Sequence, residues 1–291
     1  MKKLYGTGVA LVTPFTERLE VDFNGLKKLL VHTAKGVDYY VVMGTTGEAA
    51  TLSADEKKSV LDFVRDNNAK QLPLVYGTGG NNTQQVLDSI AGTDFGGVDA
   101  LLSVSPYYNK PSQEGIFRHF KAIANACPVP VILYNVPGRT ASNITAETTL
   151  RLAEHPNIMG IKEASGNLEQ CMRIVRDKPR DFLLISGDDM MTVPLYALGA
   201  KGVISVLANA YPVIFRKIKE FALAGNYGKA SLEAFKLLEI NPLMYEESNP
   251  VGLKALLEGM KICSGRVRLP LAEASEALRR KILALNQKNK G

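Results

Sequence analysis

Between residue 6 and about residue 205 the chain alternates short apolar, β-branched runs with longer amphipathic stretches, and this alternation constrains its fold more tightly than any other feature. Runs of strand character fall at 8–12, 39–43, 72–77, 99–104, 130–135, 158–163, 182–186 and 201–205. Their near-continuous apolar character predicts parallel strands buried on both faces. The stretches between them predict helices. The segment 53–68 opens on Ser53 with Asp55 and Glu56 behind it, and 112–126 opens on Ser112 and Glu114, as capped N-termini do. Eight such units favour an α/β fold of the (β/α)8 barrel type, with an open doubly wound sheet as the alternative, because periodicity does not show closure. Past Val206 the pattern is helical only, with Pro242 and Pro250 as breaks. The expected division is a catalytic barrel over 1–224 and a C-terminal helical appendage over 225–291.

Composition narrows the class. The 291 residues are 46% hydrophobic, enough for one large core. The net charge of +6 is scattered, clustering only at Arg279, Arg280 and Lys281 and in the tail from Lys288 to Lys290. Solvated faces explain those clusters better than nucleic acid does. Cys127, Cys171 and Cys263 are far apart with no ligand-like spacing, which suits reduced thiols in a cytoplasmic protein. The start, MKKLYGTGVALVTPF, is too interrupted for a signal peptide, and no apolar run reaches membrane-spanning length.

In a barrel the chemistry sits at the C-terminal ends of the strands. Those ends carry GTTGE (44–48), GTGGNN (77–82), SPYYNKP (105–111), YNVPGRT (134–140), IKEASG (161–166) and SGDD (186–189). Lys162 closes an apolar run that would be buried on both faces, where lysine is rare. If desolvation or nearby cations destabilise the ammonium there, the free amine can attack a ketone. A lysine that snorkels outward or pairs with Glu163 is the competing account. Tyr134 ends the preceding strand and can shuttle protons to an imine, with Thr45 and Tyr108 completing a relay; an ordinary strand-end tyrosine fits its position equally. The hydroxyls and backbone amides of GTTGE can grip a carboxylate, though a plain βα turn also uses glycine. Arg139 can meet a carboxylate in a bidentate manner or simply face solvent. GTGGNN lacks the third glycine in register and an acid at the end of a following strand, as a dinucleotide site has, so no cofactor is expected. His32, His119 and His155 fall in or at the ends of predicted helices, and Asp188 and Asp189 suit a helix start, so no metal is expected.

Taken in order and spacing, GTTGE, SPYYNKPSQEG, YNVPGRT, GIKEAS and SGDD resemble the dihydrodipicolinate synthase (4-hydroxy-tetrahydrodipicolinate synthase) family, over essentially the whole chain. This family lies in the N-acetylneuraminate lyase superfamily of class I aldolases. The resemblance implies a Schiff base between Lys162 and pyruvate, a proton relay of Tyr134, Thr45 and Tyr108, and Tyr108 contributed by a neighbouring subunit. It also implies Thr46 on the pyruvate carboxylate, Arg139 on the carboxylate of aspartate semialdehyde, and Gly187 and Ile204 lining the site. The implied product is 4-hydroxy-tetrahydrodipicolinate, on the diaminopimelate route to lysine, and the implied assembly is a homotetramer of tight dimers. A pyruvate-releasing sugar-acid aldolase and a non-enzymatic ketoacid-binding barrel are the alternatives. Lysine-inhibited members bind lysine at the tight-dimer interface. The corresponding region here holds Ala50, Ala54, Lys57, Asn81, Gln85 and Tyr107, of which only Asn81 and Tyr107 keep the pattern. A neutral amide at Gln85 and an added cation at Lys57 predict weak or absent feedback by lysine.

Overall fold

The computed structural model describes residues 4–288, so Lys2 and Lys3 at the basic start and Lys290 in the basic tail lie outside the described residues. Eight parallel strands close into a barrel in sequence order, which removes the open-sheet alternative. They are β1 (Gly6–Ala10), β2 (Tyr39–Val42), β3 (Leu74–Gly77), β4 (Ala100–Val104), β5 (Val131–Asn135), β6 (Ile158–Glu163), β7 (Leu183–Ser186) and β8 (Gly202–Ser205). All but the last residue of β4 is buried, as strands covered by helices must be.

Two strands end earlier than their apolar runs suggest. Met43 takes a left-handed φ of 62°, which stops β2 one residue short and turns the chain into GTTGE. Beyond β1, the Leu11 amide still reaches Val41, but the Val12 amide is taken by the Asn209 side chain at 3.3 Å, so the run to Val12 stays buried without remaining strand.

The chain separates into two compact units, one containing Pro73–Ile204 and the other containing Gly6–Leu72 and the chain from Ser205. The first carries β3 to β8 in parallel register, with Tyr134 opposite Lys162 and Lys162 opposite Ile185. Its helices are α3 (Thr83–Ala91), α4 (Gln113–Ala126), the single turn α5 (Pro137–Thr140), α6 (Ala146–Ala153), α7 (Leu168–Asp177) and α8 (Thr192–Leu198). Ser112 caps α4, accepting from the Gly115 amide at 3.2 Å.

The second unit carries β1 and β2, with the helix α1 (Phe23–Thr33) between them, and the helix α2 (Ala54–Asp66) after β2. At the start of α2, Ser53 Oγ accepts from the Glu56 amide while Glu56 accepts from the Ser53 amide, a complete capping box. After β8 come α9 (Pro212–Leu223), α10 (Tyr227–Phe235), α11 (Val251–Gly259) and α12 (Glu276–Lys288). No helix among the described residues is long and apolar enough to cross a membrane.

Candidate active site

Within the first unit, β5, β6 and the end of β7 bring the reactive groups together. Lys162 is 5% exposed, and its Nζ stands 4.3 Å from the centroid of the Tyr134 ring on the neighbouring strand. Gly187 follows β7 and donates its amide to the Glu163 carbonyl at 2.7 Å. A Cβ on Gly187 would lie 2.7 Å from the Ala164 Cβ and 3.1 Å from the Lys162 Cε, so the bare backbone is what lets the lysine stem pass. Ile204, on β8, is fully buried.

The acid beside Lys162 has its own partners. Adjacent strand residues face opposite ways, and the Glu163 carboxylate accepts from Asn135 Nδ2 at 3.1 and 3.0 Å, from Gln170 Nε2 at 2.8 Å and from the Ser165 amide at 2.7 Å. Asn143 extends this network, accepting from Asn135 at 2.8 Å and donating to Gln170 at 2.9 Å. A buried carboxylate satisfied by neutral donors keeps its place without claiming the lysine. Residue patterns alone missed this network. The polar Asn135 at the close of an apolar strand was the available signal.

Other predicted residues of this unit lie further out. Arg139 is exposed on α5, with its backbone amide bonded to the Val136 carbonyl at 2.9 Å. Tyr108 is 87% exposed with a left-handed φ of 73°, and Tyr107 beside it is also exposed. Asn109 ties their loop to the Asn81 carbonyl at 3.4 Å. Asn81 and Gln85 are both exposed. Asp188 serves the turn into α8, its carboxylate accepting from the amides of Met190 and Met191 at 2.8 and 3.2 Å.

The histidines are occupied structurally. His119 Nδ1 meets Thr83 Oγ1 at 2.9 Å, and burial pushes the imidazole down to about 4. His32 Nε2 lies 2.9 Å from the Ala210 carbonyl, and burial lowers its pKa too. No group of three or more His, Cys, Asp or Glu suited to a metal ion occurs among the described residues.

Within the second unit, GTTGE forms a 3-10 turn over Thr45–Gly47 directly after β2. Thr45 is exposed, whereas Thr46 is 3% exposed. Thr13 Oγ1 donates to the Gly47 carbonyl at 2.7 Å, and a Cβ on Gly47 would stand 3.2 Å from the Leu11 carbonyl, so this approach favours glycine. Glu48 closes the turn at φ 52° and pairs, buried, with Lys254 of α11 at 2.5 Å. Asn249 Nδ2 donates to Thr46 Oγ1 at 3.0 Å. Neither Asn249 nor Lys254 drew attention in the sequence, because each sits about two hundred residues from its partner. Ala50 and Ala54 are exposed and Lys57 is half-buried, all near the start of α2.

The buried Lys162 amine thus lies against the Tyr134 ring with Gly187 beside its stem, and comparison with known proteins names the family. A model of the dihydrodipicolinate synthetase family matches residues 3–288. The chain belongs to this family. A similar relative is the 4-hydroxy-tetrahydrodipicolinate synthase of Cytophaga hutchinsonii, 54% identical over 97% of this chain and 95% of that protein. Among solved structures, the chloride-inhibited dihydrodipicolinate synthase from Acinetobacter baumannii complexed with pyruvate superposes with a TM-score of 0.95 at 37% identity, covering 99% of each chain. The dihydrodipicolinate synthase from Cyanidioschyzon merolae with lysine bound gives a TM-score of 0.95 at 38% identity, again over 99% of each chain. These synthases share the barrel described above, and their similarity runs along the full length of this family member rather than through one motif.

Proposed function

We propose that this enzyme condenses pyruvate with L-aspartate 4-semialdehyde to give 4-hydroxy-tetrahydrodipicolinate, in the diaminopimelate route to lysine. The observation that carries the mechanism is the buried Lys162 with its Nζ 4.3 Å from the Tyr134 ring and Gly187 against its stem. Membership of the synthase family, and the synthase name of a relative 54% identical to this chain, support the choice of substrates.

Lys162 Nζ attacks C2 of pyruvate, and loss of one water leaves an imine. Tyr134 moves the protons of addition and dehydration, connected to bulk water through Thr45 and Tyr108. The imine withdraws electrons from C3, a proton leaves, and the enamine attacks the aldehyde carbon of the semialdehyde, whose oxygen is then protonated. The amine of the semialdehyde next adds to the imine carbon and expels Lys162, closing the ring and regenerating the enzyme. Thr46 holds the pyruvate carboxylate, Arg139 receives the carboxylate of the semialdehyde, and Gly187 and Ile204 line the site. This chemistry needs no metal or organic cofactor.

Residues 1–224 serve as the catalytic barrel and 225–291 as a C-terminal helical domain, a division supported by Gly225, whose φ of 74° turns the chain between α9 and α10. A tyrosine as exposed as Tyr108 suits a relay completed by a second copy, in tight dimers that pair into a tetramer. Residence in the cytoplasm belongs to the same reading. Lysine is expected to inhibit weakly or not at all, since Gln85 offers no negative charge and Lys57 adds a positive one; a lysine titration showing strong inhibition would remove that expectation.

The test of the whole reading is borohydride reduction in the presence of pyruvate, followed by peptide mass and by turnover with the semialdehyde. An adduct on Lys162, absent from Lys162→Ala, together with turnover is the expected result. An adduct without turnover would move the enzyme to the pyruvate-releasing aldolases, and no adduct on any lysine would overturn the mechanism.

A further inference from the structure

Asn249 is a buried amide with a divided environment. Its Nδ2 donates to Thr46 Oγ1 at 3.0 Å, while its Oδ1 is buried with no protein hydrogen-bond partner. A hydroxyl has one hydrogen and two acceptor sites. With an amide N–H on one lone pair of Thr46, the hydroxyl hydrogen is directed away from Asn249 and is polarised for donation to another acceptor. The same stretch of chain anchors the turn a second time. Lys254 reaches Glu48 at 2.5 Å, lies 4.0 Å from the Phe15 ring centroid and donates to the Arg266 carbonyl at 2.8 Å. The Arg268 amide adds a bond to the other Glu48 oxygen at 3.1 Å. Two residues of GTTGE, Thr46 and Glu48, are therefore held by side chains from beyond residue 248. Burial disfavours the charged form of Lys254, an effect that the Glu48 carboxylate opposes, so this anchor is made of two groups that stabilise each other.

We infer that Asn249 is a positioning residue for pyruvate recognition: its amide sets the Thr46 hydroxyl as a hydrogen-bond donor to the substrate carboxylate, which makes the C-terminal segment part of the binding apparatus. The inference rests on the reading of Thr46 as the carboxylate ligand. An asparagine serving packing alone would affect stability and turnover together. A positioning asparagine acts on pyruvate through Thr46.

Steady-state kinetics on Thr46→Val, Asn249→Ala, the double variant and Asn249→Asp separate these roles. Asn249→Ala is expected to raise KM for pyruvate roughly ten-fold, the scale of a hydrogen bond to a charged group, with kcat and KM for the semialdehyde little changed. In the Thr46→Val background the same substitution should add nothing. Asn249→Asp keeps the shape but, ionised, accepts the Thr46 proton and repels the carboxylate. Its KM for pyruvate should exceed that of Asn249→Ala at neutral pH and fall as acid protonates the new carboxyl, a reversal absent from wild type. If Asn249→Ala does not fold, this pH response carries the test. Additive effects of Thr46→Val and Asn249→Ala, or a loss confined to kcat, would overturn the inference alone. A Thr46→Val enzyme with unchanged KM for pyruvate would overturn the carboxylate reading and the inference with it.

Discussion

Lys162 is reactive only if the groups around it leave its stem room and its amine uncommitted. The neighbouring Glu163 is held by Asn135, Gln170 and the Ser165 amide, all neutral donors. The stem is bounded by Gly187, whose missing side chain is a geometric requirement. Gly187→Ala should therefore push the lysine out of line, and misplacement of a reacting group by about 1 Å costs on the order of a hundred-fold in rate. The expected outcome is slower reductive trapping of pyruvate on Lys162 and a lower kcat, with circular dichroism still showing a folded barrel. Wild-type trapping rates in this variant would mean that the Cβ is accommodated and that Gly187 does not shape the lysine. Lys162 itself was legible in the sequence, because a charged residue closing an apolar strand is uncommon enough to stand out. Glu163 beside it was legible as a charge but not as a networked one, since Gln170 and Asn143 reach it from other elements.

Among the elements, α2 shows how a local signal and a distant one share a residue. Ser53 and Glu56 form the capping box that their spacing predicts. Glu56 also receives Arg268, from beyond α11, at 2.6 and 2.9 Å, and this guanidinium holds its carboxyl down at about 2 from the ordinary 4.5. A carboxyl with a depressed folded pKa contributes stability that is full above its unfolded value and is lost as pH falls. For Glu56 that window runs from about 4.5 down through about 2. Thermal melts across this range should show a steeper fall in Tm for wild type than for Arg268→Met, which has less to lose. Parallel slopes would mean that the pair contributes nothing across that range. The helices of 53–68 and 112–126 were read from caps and periodicity with only small shifts at their ends. The strand ends at Ala10 and Val42 were not, because Asn209 and the left-handed Met43 decide them.

For the whole molecule the prediction concerns a second copy of the chain. Tyr108 stands 87% exposed on a loop with left-handed residues at Tyr108 and Lys110, an expensive way to present a phenol unless something receives it. If a partner subunit receives it, a Tyr108→Phe subunit keeps a good lysine and a Lys162→Ala subunit keeps a good tyrosine. Co-expressed, the two should form hybrid dimers with one native site each, restoring about a quarter of wild-type activity from random pairing of weak parents. No recovery in isolated hybrids would place Tyr108 in its own subunit's relay.

The sequence by itself determined the eight strands, the lysine and tyrosine that close two of them, the GTTGE turn and the helical C-terminal region. Each is written in local periodicity or in residues that stand out against their immediate neighbours. Closure of the barrel, the glycine against the lysine stem, the donors that hold Glu163, and the Asn249 and Lys254 contacts to the turn were decided by tertiary structure alone. The reason is physical. A buried polar group must find a partner, but it finds that partner by proximity in space, and a separation of 203 residues between Thr46 and Asn249 leaves no trace in either residue's local sequence.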